Sequence, residues 1–124
     1  MKNYYFNFGI MFFHGHMSYP QIFEERVETW VLGHLHPSVS LADKSNIKYE
    51  KYKCFLTGKF KGKEIIVVPS FFGIVEGTPV NEEGYDREGF SVIPNSELKN
   101  FEVHAINDDG EIFEFGEVRK MDKK

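Results

Sequence analysis

Two apolar runs in this chain, Ile10-Met11-Phe12-Phe13 and Thr29-Trp30-Val31-Leu32, run into histidines associated with a glycine. The first is followed by His14-Gly15-His16 and the second by Gly33-His34-Leu35-His36. Short runs of β-branched and aromatic residues read as strands buried in a sheet. A buried strand that ends in two imidazoles sets them at the rim of its sheet, where open α/β sheets bind ligands. Gly33 lets backbone pass close to a bulky group. The two units lie twenty residues apart, so their strands can be sheet neighbours with all four imidazoles at one rim.

Other segments follow the same strand logic. Tyr4 to Phe8 is an aromatic run that ends at Gly9. Ser38 to Leu41 reads as a further strand. Tyr52 to Phe60 alternates, Lys61-Gly62-Lys63 forms a hairpin turn, and Ile65 to Val68 returns as a buried strand stopped by Pro69. Asn107-Asp108-Asp109-Gly110 joins the last two strands. Ser18 and Pro20 mark a helix start, and Ile22, Phe23 and Val27 follow at helical spacing. Residues 43–50 and 73–100 read as loops. The expectation is a single β-rich α+β domain over residues 1–124. It has one helix near 20–28 and strands near 10–14, 29–33, 52–60, 63–69, 101–106 and 111–118.

Charge narrows the function. Fifteen Lys and Arg against nineteen Asp and Glu give a formal net charge of −4. Bulk attraction to nucleic acid or an anionic membrane is excluded, so contact with phosphate needs a local site, most simply a metal. The single cysteine, Cys54, excludes an intrachain disulfide and a Cys-rich zinc site. No apolar stretch approaches the roughly 20 residues of a membrane span. The N-terminal run has an Asn and a Gly inside it and no small-residue cleavage site, and reads as core strand rather than leader. The expected compartment is the cytoplasm and no membrane partner is expected.

Imidazole is a good ligand for Zn, Mn, Fe or Ni and is neutral at pH 7 when its pKa is ordinary. Two His-x-His pairs at the ends of two apolar strands therefore point to a transition metal. Trp30 reads as core, Cys54 as a small buried hydrophobe and His104 as exposed on a strand face. Lys59, Lys61 and Lys63 bracket a hairpin turn and read as solvated, with contact to a phosphodiester chain as the alternative. The pairs Glu24-Glu25 and Asp108-Asp109 lack the setting of an acid/base dyad.

Gly33-His34-Leu35-His36 resembles the last signature of the calcineurin-like metallophosphoesterases, and His14-Gly15 resembles the signature before it. Pro37, Val68-Pro69-Ser70-Phe71 and Gly77 with Val80-Asn81 resemble a narrower branch of that family. It contains predicted archaeal phosphoesterases and bacterial ligase-associated DNA-repair endonucleases. The resemblance runs over roughly residues 10–120. It implies the C-terminal half of an α/β/β/α sandwich and hydrolysis of a phosphomonoester or phosphodiester at a dinuclear metal centre. Carried over by motif, His14 and His34 ligate one metal and His36 the other, while His16 is a contact to the substrate phosphate or a group behind the ligands. The implied cofactor is divalent Mn, Fe, Ni or Zn. The implied substrate is a phosphate ester, with nucleic acid among the candidates.

The earlier family strings, Asp-x-His, Gly-Asp and Gly-Asn-His-Asp or Glu, do not occur here. The dinuclear site is therefore expected to be incomplete, and the isolated chain inactive without an N-terminal half chain carrying those motifs. A homo-oligomer is the other way to cover a face bearing Phe12, Val31 and Leu32. The competing reading is a non-catalytic β-rich module that binds one metal through its histidines, or that binds a protein partner.

Overall fold

The computed structural model describes residues 3–42, 49–70, 77–81 and 92–121. The described residues form a mixed, β-rich sheet with very little helix. The strands are β1 (Tyr4–Asn7), β2 (Ile10–Phe13), β3 (Thr29–Leu32), β4 (Pro37–Ala42), β5 (Tyr49–Phe60), β6 (Lys63–Val67), β7 (Thr78–Pro79), β8 (Glu102–Ile106) and β9 (Ile112–Glu117). One α-helical turn, α1, spans Asn95–Leu98. The order β1-β2-β3-β6-β5 continues through β8 to β9. β3 lies between β2 and β6 and is parallel to both, and β1 pairs β2 antiparallel. β5 is long enough to serve two ladders. Its first half pairs β4, which also takes β7 in parallel, and its second half lies between β6 and β8.

Alternation divides the sheet into two faces. One face carries rows that cross it in register: Met11, Trp30, Ile65 and Gly58, then Phe13, Leu32, Val67, Leu56 and Val103. Their apolar side chains are buried and form the core with Ile22, Val27 and Phe101. The opposite face carries the row Phe12, Val31, Ile66, Thr57 and Glu102. Here Phe12 is 40% exposed, and Val31 and Ile66 are half-buried. Leu32, expected on the uncovered face, belongs to the core instead.

Trp30 organises the core. Its ring makes edge contacts with Phe13 at 5.3 Å, Phe23 at 5.4 Å and Phe60 at 5.9 Å between centroids. Its Nε1–H donates to the Ile22 carbonyl over 2.8 Å, which ties the segment after β2 down onto the sheet. Gly58 is small because Phe101 lies on it: an added Cβ would meet the Phe101 ring at 2.6 Å. Cys54 is buried as expected, and burial pushes its thiol up to about 12, so it is unreactive near neutral pH.

The helix expected over 20–28 reduces to a 3₁₀ turn at Pro20–Phe23, with Glu24 already extended. Ser18 does not cap it; the cap position is Tyr19, which makes no side-chain cap bond. The backbone after the turn finds better partners elsewhere. Lys63 Nζ donates to the carbonyls of Glu24 at 2.7 Å and Val27 at 2.6 Å. The amides of Glu28 and Thr29 donate to the Gly9 carbonyl. A segment whose polar groups are satisfied this way has no need of helical bonds. Lys63 is therefore a buried structural cation, 8% exposed, and not part of a solvated turn.

Most strand expectations hold to within a few residues. β5 begins at Tyr49, so the loop expected over 43–50 is shorter at its end, and residues 43–48 lie outside the described residues. The loop expected over 73–100 contains β7 and α1, while residues 71–76 and 82–91 lie outside the described residues.

Candidate metal centre

Parallel pairing of β2 with β3, in register Phe13↔Leu32, ends both strands at the same edge of the sheet. The ladder continues one step further, where the Gly33 amide donates to the His14 carbonyl at 3.2 Å. His14 and His34 then meet directly: His34 Nδ1 lies 3.1 Å from His14 Nε2. His16 joins them, with ring centroids 4.9 Å from His14 and 6.1 Å from His34. The His14 and His34 centroids are also 4.9 Å apart. His36 stands two residues beyond His34, close enough to act electrostatically on His14.

Local backbone conformations make this crowding feasible. Gly15 has φ +102°, and an added Cβ there would lie 2.7 Å from Leu32 Cδ1. The turn between His14 and His16 thus presses against the end of β3 with nothing but hydrogen between them. His34 at φ 23° and His36 at φ 47° both occupy the left-handed side of conformational space. Non-glycine residues adopt it at a cost, and such strain concentrates at functional sites. Leu35 between them is 4% exposed, so it anchors the loop while the two strained residues turn at the rim.

Electrostatics favour the neutral form of His14. His14 titrates below its ordinary value of about 6.5, first because partial burial disfavours its charged form. Repulsion from His34, then His16, then His36 acts in the same direction. A histidine whose native pKa is depressed supports folding fully above its unfolded value and loses that support as pH falls through the native value. We expect the melting temperature to fall as pH drops from about 7 toward 5, and His14→Asn to flatten that part of the profile. Thermal melts of both proteins across this range check it; parallel profiles would be the contrary result.

Two observations bear on a metal. Among the described residues, no group of three or more His, Cys, Asp or Glu side chains is arranged to hold an ion. The distance between the His14 and His34 nitrogens can be compared with the bite of such an ion. Bonds of about 2.0–2.1 Å to a tetrahedral ion put two ligand nitrogens about 3.3 Å apart. The observed separation of 3.1 Å is close to that bite. It is equally a hydrogen bond, so a proton and a cation compete for the same lone pairs. The groups that shift His14 are burial and three imidazoles, with no carboxylate among them.

Asn81, part of the string that resembles the endonuclease branch, has a structural task. Its side chain accepts from the Ser40 amide at 2.9 Å and donates to the Ser40 carbonyl at 2.8 Å, pinning the β7 segment to β4. Gly77 lies close to the rim: an added Cβ would stand 2.7 Å from the His36 carbonyl oxygen.

No family model matches the chain, and no curated protein or solved structure matches it significantly. Among the described residues, no helix is long and apolar enough to cross a membrane.

Sequence reasoning missed one constellation. Thr57, His104 and Glu114 stand in hydrogen-bond sequence across β5, β8 and β9. His104 is not simply exposed; its side chain is 22% accessible and bonded on both sides. Nothing in the sequence spacing marks this set, because sheet pairing alone brings it together.

Proposed function

We propose that the His14–His34 rim is a site for one divalent transition metal, with His36 as a further ligand and His16 facing an anionic ligand. We also propose that the chain is the histidine-bearing portion of a metal-dependent phosphoesterase of α/β/β/α type. The observation that carries the reading is the 3.1 Å contact between His14 Nε2 and His34 Nδ1, at adjacent parallel strand ends. The depressed His14 pKa supports it, since an unprotonated nitrogen is what a metal requires. The acidic strings absent from this sequence define what is missing. Bound divalent metal would supply Lewis-acid polarisation of a phosphate and an activated water. The chain's own residues would position it through His14, His34 and His36 and orient phosphate oxygens through His16.

Neutral imidazoles contribute no charge to offset two dications held about 3.5–4 Å apart. The isolated chain is therefore expected to bind at most one Mn²⁺, Zn²⁺, Ni²⁺ or Fe²⁺, loosely, and to hydrolyse no phosphodiester above background. A second chain that carries the Asp and Asn strings is expected to restore turnover, and His34→Ala to abolish it. Metal analysis after dialysis, with hydrolysis of bis(4-nitrophenyl) phosphate in Mn²⁺ with and without that chain, tests this. Failure of His34→Ala to change metal content would overturn the metal site. Metal binding without turnover in any pairing would leave the competing reading, a non-catalytic histidine metal-binding module.

A further inference from the structure

The open face of the sheet carries a second cluster, remote in sequence from the histidine rim. Thr57 on β5 and His104 on β8 are joined by a 2.8 Å contact between Thr57 Oγ1 and His104 Nε2. His104 Nδ1 contacts the Glu114 carboxylate on β9. An ionised carboxylate only accepts hydrogen bonds, so Nδ1 is the protonated nitrogen. In the neutral ring Nε2 then holds the lone pair, and the Thr57 hydroxyl donates to it. This is the order hydroxyl, base, orienting carboxylate that activates a nucleophile in acyl transfer.

A local irregularity creates the alignment. β8 and β9 pair Val103 with Gly116, yet His104 with Glu114, so the register slips by one residue between them. Regular pairing would set Phe115 opposite His104. The bulge, with Gly116 at φ 75°, moves the carboxylate there instead. Bulges commonly re-aim a side chain in this way. Along the same face, Ile66 lies opposite Thr57 and Phe55 lies opposite His104. Both are half-buried, and they offer apolar surface next to the hydroxyl.

We propose that Thr57 is an activated hydroxyl that takes an acyl group from activated esters with short apolar acyl chains. His104 is the catalytic base and Glu114 its positioning residue. Thr57 Oγ1 bonds to the ester carbonyl carbon, and the bond from that carbon to the leaving oxygen breaks. The hydroxyl proton passes to His104 Nε2 and then to the departing oxygen. Water attacking the Thr57 ester, with the same base, releases the carboxylic acid and restores the hydroxyl.

The full chain is incubated with 4-nitrophenyl acetate and analysed by intact mass and peptide mapping. Hydroxylamine treatment separates esters from lysine amides. An acetyl ester is expected on Thr57 and not on the exposed hydroxyl of Ser18. Thr57→Val is expected to remove it, and His104→Ala to slow it about 100-fold, with recovery in added imidazole. Glu114→Gln is expected to move the His104 ring proton from Nδ1 toward Nε2, read by ¹⁵N NMR of the imidazole. Acetylation of Thr57 no faster than of Ser18, or a rate unchanged in His104→Ala, would overturn the proposal. An unchanged His104 tautomer in Glu114→Gln would overturn the role of Glu114.

Discussion

Trp30→Ala is expected to cost about 3–5 kcal/mol of folding stability. Trp30 is fully buried and is the largest side chain in the core. It makes edge contacts with three aromatic rings. Its removal also takes away the donor that satisfies the Ile22 carbonyl, and a buried acceptor left unpaired costs about 1–3 kcal/mol. Domains have total margins of about 5–15 kcal/mol, so the variant should be largely unfolded at 37 °C. Trp30→Phe keeps most of the ring volume and should lose about half as much. Urea unfolding followed by far-ultraviolet circular dichroism measures both, without relying on the fluorophore that the substitution deletes. A midpoint for Trp30→Ala close to that of the parent would mean that the segment after β2 is held by something else.

Gly15→Ala is expected to damage both stability and the histidine rim. At φ +102° a side chain is strained whatever the space around it, at a cost of about 1–3 kcal/mol. The added methyl would also lie 2.7 Å from Leu32 Cδ1, whose residue is fixed in the core, and such overpacking adds about 1–3 kcal/mol. Relief requires the His14–His16 turn to lift away from β3. His14 Nε2 would then leave the 3.1 Å contact with His34. A lower melting temperature is expected, and, under the proposed metal site, weaker binding of Mn²⁺ or Zn²⁺ with it. Gly62→Ala is the control, since an added Cβ there meets nothing within 4 Å, although its φ of +78° carries a backbone penalty.

Strands were legible in this sequence because their signal is local. β5 and β8 alternate along their own length, and β2, β3 and β6 are short apolar runs bounded by turn residues. The meeting of His14 with His34 was legible for a related reason: two strands of one kind, each ending in an imidazole, become neighbours at one edge. The helix over 20–28 was misread because its fate is decided by Lys63, a residue far along the chain whose ammonium occupies two of its carbonyls. The same limit hid Thr57, His104 and Glu114. Their alignment depends on three strands and on a one-residue slip between β8 and β9, and no spacing within one segment encodes that.

The strand order has a consequence for how the chain reaches its native state. β2 and β3 leave the ribosome before β6, yet the far side of β3 is completed only by β6, in register from Thr29↔Glu64 to Leu32↔Val67. β6 in turn pairs β5, whose second half finds its other neighbour only when β8 has emerged. β5 and β6 form a local hairpin, but the β3–β6 and β5–β8 pairings join residues far apart in the chain, and pairings of this non-local kind fold slowly. During synthesis the apolar edge of β3 stays open until Val67 is available. The window for wrong partners therefore falls between the emergence of residue 32 and that of residue 67, which is where a holdase chaperone would act. A ribosome stalled in that interval should display a protease-sensitive nascent chain, and one stalled beyond β8 a resistant core.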